Sequence, residues 1–156
     1  MPAHAARIDC PVFRKLAPDV NDVAVALSQA VRKGGLDGQL IELIMIRASQ
    51  INGCVFCLQH HILSAEGLGI SADKLGQLAV WREAPVYTPR ERVALEWTEA
   101  LTLVSQGVSD EVYAEARSEF SDKELAYLTS AIVNINLWNR LGAAFRWPPA
   151  ARSNSK

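Results

Sequence analysis

The side chains best suited to covalent chemistry are grouped. Cys54 and Cys57 are two residues apart, His61 follows Cys57 by four positions, and Glu42 lies upstream across an apolar run, all within ELIMIRASQINGCVFCLQHHILSAEGL. A thiolate attacks the O–O bond of a peroxide and becomes a sulfenic acid, which a second thiol condenses to a disulfide. That chemistry requires two thiols in mutual reach, a base to remove a proton, and a donor to return one to the leaving alkoxide. Two cysteines, a histidine and a carboxylate are such a set.

Helix geometry makes the grouping specific. At about 100° per residue, positions 54, 57 and 61 fall within about 60° of one another. Leu58, Ala65 and Leu68 continue that face, so both sulfurs and the His61 imidazole are expected to look into an apolar seam. His60 points about 120° away and is expected to be exposed. One turn brings the two cysteine Cα atoms to about 5–6 Å, within disulfide range. Both thiols fall in the first turns of a helix, where free N–H groups and the helix dipole stabilise a thiolate. Proximity to that N-terminus favours Cys54 as the attacking thiol; the four-residue spacing puts His61 within reach of Cys57. Glu42 sits in a helix that is apolar nearly all round, so it should be buried, with its pKa raised and suited to proton relay.

Blander readings of the same residues exist. Cys54, Cys57 and His61 offer zinc three ligands without a clear fourth, so no metal is expected. The thiols could be inert core residues, His61 a core histidine, and Glu42 a structural partner of Arg47 or Arg92. Cys10, before Pro11, is read as structural or incidental. His4 and His60 are read as surface residues, and Trp81, Trp97, Trp138 and Trp147 as core or interface anchors.

The elements that must position these groups are helices. No β-branched run alternates with polar residues. A first helix is predicted over Pro18 to Arg32 and a second from about Gly38, capped by Asp37, to Ile51. Asn52-Gly53 ends it in a left-handed turn. A third runs from about Cys54 to Leu68, and a fourth from the Ser71 cap to about Trp81. After a linker around Pro85, Thr88-Pro89-Arg90-Glu91 opens a helix to about Ser105. Ser109 starts a short helix. Ser121-Asp122-Lys123-Glu124 opens a long one through Leu141, with Leu125, Leu128, Ile132, Ile135 and Trp138 as its apolar stripe. The expected architecture is all-α, one domain of about six to seven helices over residues 1–150, followed by a polar tail, 151–156.

Composition sets the remaining bounds. The chain has 156 residues, 49 % of them apolar and 21 % charged, with a net charge of −1. This is an ordinary globular balance with no basic surplus for nucleic acid. No signal-peptide h-region and no apolar run of ~20 residues is present, so a cytoplasmic protein without a membrane span is expected. Three cysteines in such a chain point to redox or metal chemistry rather than a disulfide framework.

The pattern Glu42, Cys54, Cys57, His61, set in I-R-A-S-Q-I-N-G-C-x-x-C, resembles the AhpD-like alkylhydroperoxidases of the carboxymuconolactone decarboxylase superfamily. W-R-E at Trp81, R-E-R-x-A-L-x-W-T-E from Arg90 to Glu99, and N-I-N-L-W-N-R from Asn134 to Arg140 extend the likeness over most of the chain. The resemblance implies an all-helical fold, a homotrimer or homohexamer, and reduction of organic hydroperoxides without metal, flavin or other cofactor. It makes Cys57 the peroxide-attacking thiol, Cys54 the resolving one, and Glu42 and His61 the proton relay. It also implies recycling by a dithiol protein, lipoyl-bearing or thioredoxin-like. The family's best-studied type has a second histidine where this sequence has Phe56, so the implied relay is shorter. The alternative function is a dithiol–disulfide oxidoreductase or redox-sensing oligomer with little peroxidase activity.

Overall fold

The computed structural model describes residues 5–149, so the expected tail and the surface reading of His4 lie outside the described residues. In chain order the helices are α1 (Cys10–Leu16), α2 (Pro18–Arg32), α3 (Gly38–Asn52), α4 (Val55–Gly67), α5 (Ala72–Gly76), α6 (Pro89–Thr102), α7 (Asp110–Glu119) and α8 (Asp122–Phe145). Short 3₁₀ turns follow α5 (Leu78–Val80) and α6 (Val104–Gln106). The all-α expectation holds: seven of these helices have seven residues or more, and α5 is a five-residue turn.

Local chemistry sets most boundaries. Thr88 and Ser121 each accept a hydrogen bond from the backbone N–H of a glutamate three residues on, and that glutamate's carboxylate accepts from the cap's own N–H. These reciprocal bonds satisfy orphan donors at the starts of α6 and α8. Asp37 accepts from the Leu40 N–H and caps α3. Gly53, with φ of 65°, ends α3 in the left-handed region open to glycine without steric cost.

α3 is the central element and packs against α4, α6 and α8. Leu40 through Ile46, with Ala48 and Ser49, is buried all round, as its apolar sequence requires. One side (Ile41, Ile44, Met45) meets Leu128, Ile132 and Ile135 of α8; the other (Leu43, Ile46) meets Leu78, Trp81 and Leu95. Each such aliphatic side chain contributes about 1.5–3 kcal/mol by leaving water. The α8 stripe is as predicted, with Trp138 half-buried rather than fully so. Arg92 donates to the carbonyls of Trp81, Arg82, Ala84 and Tyr87, fixing the linker around Pro85.

Three local expectations differ. α1 precedes the first predicted helix; it is seven residues with one buried side chain, Phe13, too short to show a period. Phe13 packs on Phe145 and Trp147 near the end of α8. The predicted fourth helix is broken after Gly76, where α5 gives way to the 3₁₀ turn. α8 continues past Leu141 to Phe145, and Trp147 is tied back by its indole N–H to the Ile8 carbonyl.

Candidate active site

The turn between α3 and α4 carries the cysteines, and α8 holds it in place. The Asn52 side-chain amide donates to Asn136 at 3.1 Å and to Asn139 at 3.0 Å, and Asn139 donates to Ser49 at 3.0 Å. Satisfied buried amides of this kind fix a single arrangement. Cys54 is the N-cap of α4 rather than its first residue. Its backbone is extended (φ −86°, ψ 94°) and its sulfur accepts the Cys57 N–H at 3.3 Å. Cys54 and Cys57 form a disulfide with Cα atoms 5.4 Å apart, and both are buried. One α4 N–H, that of Cys57, therefore points at the Cys54 sulfur, while Cys57 itself stands within the first turn.

The expected continuation of this face is only partly right. Ala65 is fully buried, but Leu68 is exposed because α4 has already ended at Gly67. The sulfurs instead press against α8 at Gly142. A Cβ there would lie 2.6 Å from Cys54 Sγ and 3.5 Å from Cys57 Sγ. Gly142→Ala therefore gains up to about 1 kcal/mol of helix propensity but overpacks a short, cross-linked side chain, costing about 1–3 kcal/mol. The expected result is a lower Tm for the oxidised variant in thermal denaturation. An unchanged Tm would show that the contact relaxes freely.

Glu42 is fully buried. One carboxylate oxygen, Oε2, lies 2.7 Å from His61 Nδ1, and the other, Oε1, accepts from Arg32 at 2.6 Å. Burial pushes the carboxyl pKa up, but hydrogen bonds and charge from His61 and Arg32 together outweigh it and hold the group below its ordinary 4.5. This reverses the expectation from burial alone, because the sequence did not place Arg32 here. Glu42 is thus a carboxylate and can only accept, so the proton between it and His61 sits on Nδ1 and leaves Nε2 as the free nitrogen. Neither suggested structural partner pairs with Glu42: Arg47 donates to Glu99 at 2.8 Å, and Arg92 is spent on backbone carbonyls.

Cys57 and His61 line a cavity of about 230 Å³, whereas Cys54 does not. Met45, Phe56, Ile135 and Trp138 supply apolar wall. Phe56 stacks edge-on against Trp147 with ring centroids 5.4 Å apart, so the position of the family's second histidine is a packed aromatic. His60 is exposed as predicted, yet its ring meets His61 edge-on at 5.0 Å and joins the lining. Partial desolvation of the ring where it faces the cavity, then the neighbouring His61, lowers its pKa from 6.5. Cys10, read as structural or incidental, is a free thiol on the same cavity. Arg32 and Gly142 carried no sequence signal: a basic residue in a last helical turn is ordinary, and a glycine's neighbour is visible only after folding. Among the described residues no group of three or more His, Cys, Asp or Glu is placed to hold a metal ion.

Comparisons with known proteins identify the family and the fold. Residues 18–100 match the model of the carboxymuconolactone decarboxylase family. An uncharacterised Bacillus subtilis protein, YdfG, is 32 % identical, over 85 % of this chain and 90 % of that protein. A crystal structure from Agrobacterium tumefaciens, of a protein of unknown function considered a candidate AhpD antioxidant-defence protein, superposes with TM-score 0.90. It is 37 % identical, over 95 % of this chain and all of that one. A peroxidase-related protein of Ralstonia eutropha with an AhpD core shares the fold at TM-score 0.79 and 22 % identity, over 89 % of this chain and 75 % of that one. With its matching helical fold and its Cys54–Cys57 disulfide, this chain belongs to the carboxymuconolactone decarboxylase family, on the AhpD-like side.

Proposed function

We propose that the protein is a thiol peroxidase that reduces organic hydroperoxides, with Cys57 attacking and Cys54 resolving. The observation that carries the reading is the asymmetry of the dithiol: Cys57 faces the cavity beside His61, and Cys54 sits behind it, its sulfur receiving an α4 N–H. His61 Nε2 takes the Cys57 proton, while Glu42 holds the ring through Nδ1 and stabilises the imidazolium. The thiolate sulfur bonds to the terminal peroxide oxygen, the O–O bond breaks, and the leaving alkoxide takes the proton back from His61, giving an alcohol and Cys57 sulfenic acid. The Cys54 thiolate then attacks the Cys57 sulfur. The S–O bond breaks, hydroxide leaves as water on protonation, and the disulfide forms. Two electrons from a dithiol reductant, a lipoyl-bearing or thioredoxin-like protein, reopen it.

The test is steady-state reduction of cumene hydroperoxide with dihydrolipoamide as electron source, in zinc-assayed protein. Saturable turnover is expected. Rapid disulfide exchange without peroxide consumption would favour the dithiol oxidoreductase or redox-sensor reading. The same preparation is expected to be a homo-oligomer, since Leu16 of α1 and Val20 and Val23 of α2 are large apolar side chains left exposed. A particle of 17.1 kDa by light scattering would contradict that.

A further inference from the structure

Among the described residues, the charged side chains on the cavity wall are of one sign: Arg14, from α1, and Arg32, from the end of α2, both line it, and no aspartate or glutamate does. Glu42 lies behind the wall, its two oxygens occupied by Arg32 and His61. Arg14 is exposed and makes no ion pair among the described residues, and Arg32 spends one terminal nitrogen on Glu42 while its side chain stays 40 % exposed.

The polar groups of Ser28, Asn134 and Trp138 on the wall already satisfy one another. Ser28 accepts from the Asn134 amide at 3.0 Å and from the Trp138 indole at 3.1 Å, and its hydroxyl donates to the Ala24 carbonyl at 3.0 Å. Apart from the His60 and His61 imidazoles, what remains unspent around the cavity is guanidinium N–H, set against the apolar surfaces of Val25, Met45, Ile135 and Trp138. An apolar body with one anionic group is the complement of such a wall, because guanidinium binds carboxylate through charge-assisted, often paired hydrogen bonds. A cleft of one sign also concentrates the opposite charge before contact. The volume, about 230 Å³, is below the ~300–1,000 Å³ of drug-sized sites, so the body is small.

We propose that the cavity selects small organic hydroperoxides bearing a carboxylate, with Arg14 and Arg32 taking the carboxylate and the apolar walls taking the body, so that the hydroperoxide reaches Cys57. This substrate class rests on the peroxidase reading above. Arg32 thereby serves two anions, the buried Glu42 and the substrate; Arg14 serves the substrate alone.

The experiment compares 4-(2-hydroperoxypropan-2-yl)benzoate with its methyl ester, two hydroperoxides that differ in charge and share the reacting centre. In the unmodified protein at low salt, kcat/KM is expected to favour the acid by about tenfold, the scale of one charge-assisted contact. The preference should shrink in roughly 1 M salt, where the screening length falls to about 3 Å. Arg14→Gln is expected to cut the acid-to-ester ratio severalfold, Arg32 keeping the remainder, and Arg14→Lys to restore part of it. A ratio near one in the unmodified protein, or a ratio that Arg14→Gln leaves alone, overturns the proposal.

A second arm reads binding without turnover: titration of 4-isopropylbenzoate and its methyl ester, followed by tryptophan fluorescence, since Trp138 lines the cavity. The acid is expected to bind more tightly, and Arg14→Gln to reduce the difference severalfold. Arg14-dependent binding of the acid with no reduction of either hydroperoxide would leave the anion site standing and remove the peroxidase reading. Equal reduction of both hydroperoxides with no Arg14 effect would do the reverse.

Discussion

Cys57→Ser is expected to bring hydroperoxide turnover to background, a loss of at least about 10³-fold, because a serine hydroxyl is scarcely ionised where a thiolate forms. Cys54→Ser should behave differently. It retains the cavity-facing thiol but has nothing to condense with the sulfenic acid, so about one equivalent of peroxide per chain is consumed before turnover stalls. Stopped-flow peroxide consumption and trapping of the sulfenic acid with dimedone distinguish the two variants. In the unmodified protein, mass spectrometry after peroxide treatment should show the Cys54–Cys57 disulfide and a reduced Cys10. A burst in Cys57→Ser and background in Cys54→Ser would invert the assignment and return the attack to the thiol nearer the helix N-terminus. A Cys10-linked dimer as main product would give that thiol a part in the cycle.

The second large effect concerns the Glu42–His61 pair. Glu42→Gln preserves shape and one acceptor but removes the charge that stabilises an imidazolium on His61. Peroxide reduction is expected to fall by about 10²–10⁴, the usual weight of general acid–base assistance, and His61→Ala should fall comparably. The double variant should lose much less than the product of the single losses, because the two groups act as a unit. Rates of the four proteins at matched oligomeric state test this, and full activity in Glu42→Gln would sink the relay.

Stability supplies an independent readout. Arg32 is partly hydrated, so neutralising its partner costs about 1–3 kcal/mol, less than stranding a fully buried charge. The folded-state pKa of Glu42 lies below its ordinary 4.5, so its stabilising contribution is complete above the unfolded value and is lost as pH falls through the folded one. The Tm of the unmodified protein should therefore decline more steeply below about pH 4.5 than that of Glu42→Gln. Parallel Tm curves would show that the carboxylate gains nothing from its partners.

What the sequence determined by itself was local. The capping boxes at Thr88 and Ser121, the Asp37 cap and the left-handed turn at Gly53 act within one helical turn, and each sets a boundary as read. The burial of Glu42 followed from the apolar sequence around it, and the closeness of Cys54 and Cys57 from their spacing. Where the local signal was weak, the reading failed: α1 is too short to show periodicity, and Cys54 caps α4 instead of starting it. The tertiary structure alone decided which groups meet across elements. Arg32 reaches Glu42 from the end of another helix and reverses the direction of its pKa shift; Gly142, far along the chain, leaves room for the two sulfurs. Arg14, Arg32 and Trp138 share one cavity with Cys57 only because α1, α2 and α8 close around the start of α4. Hydrogen bonds and charges between such elements depend on a few ångströms of packing, and side-chain periodicity along one helix carries no record of that distance.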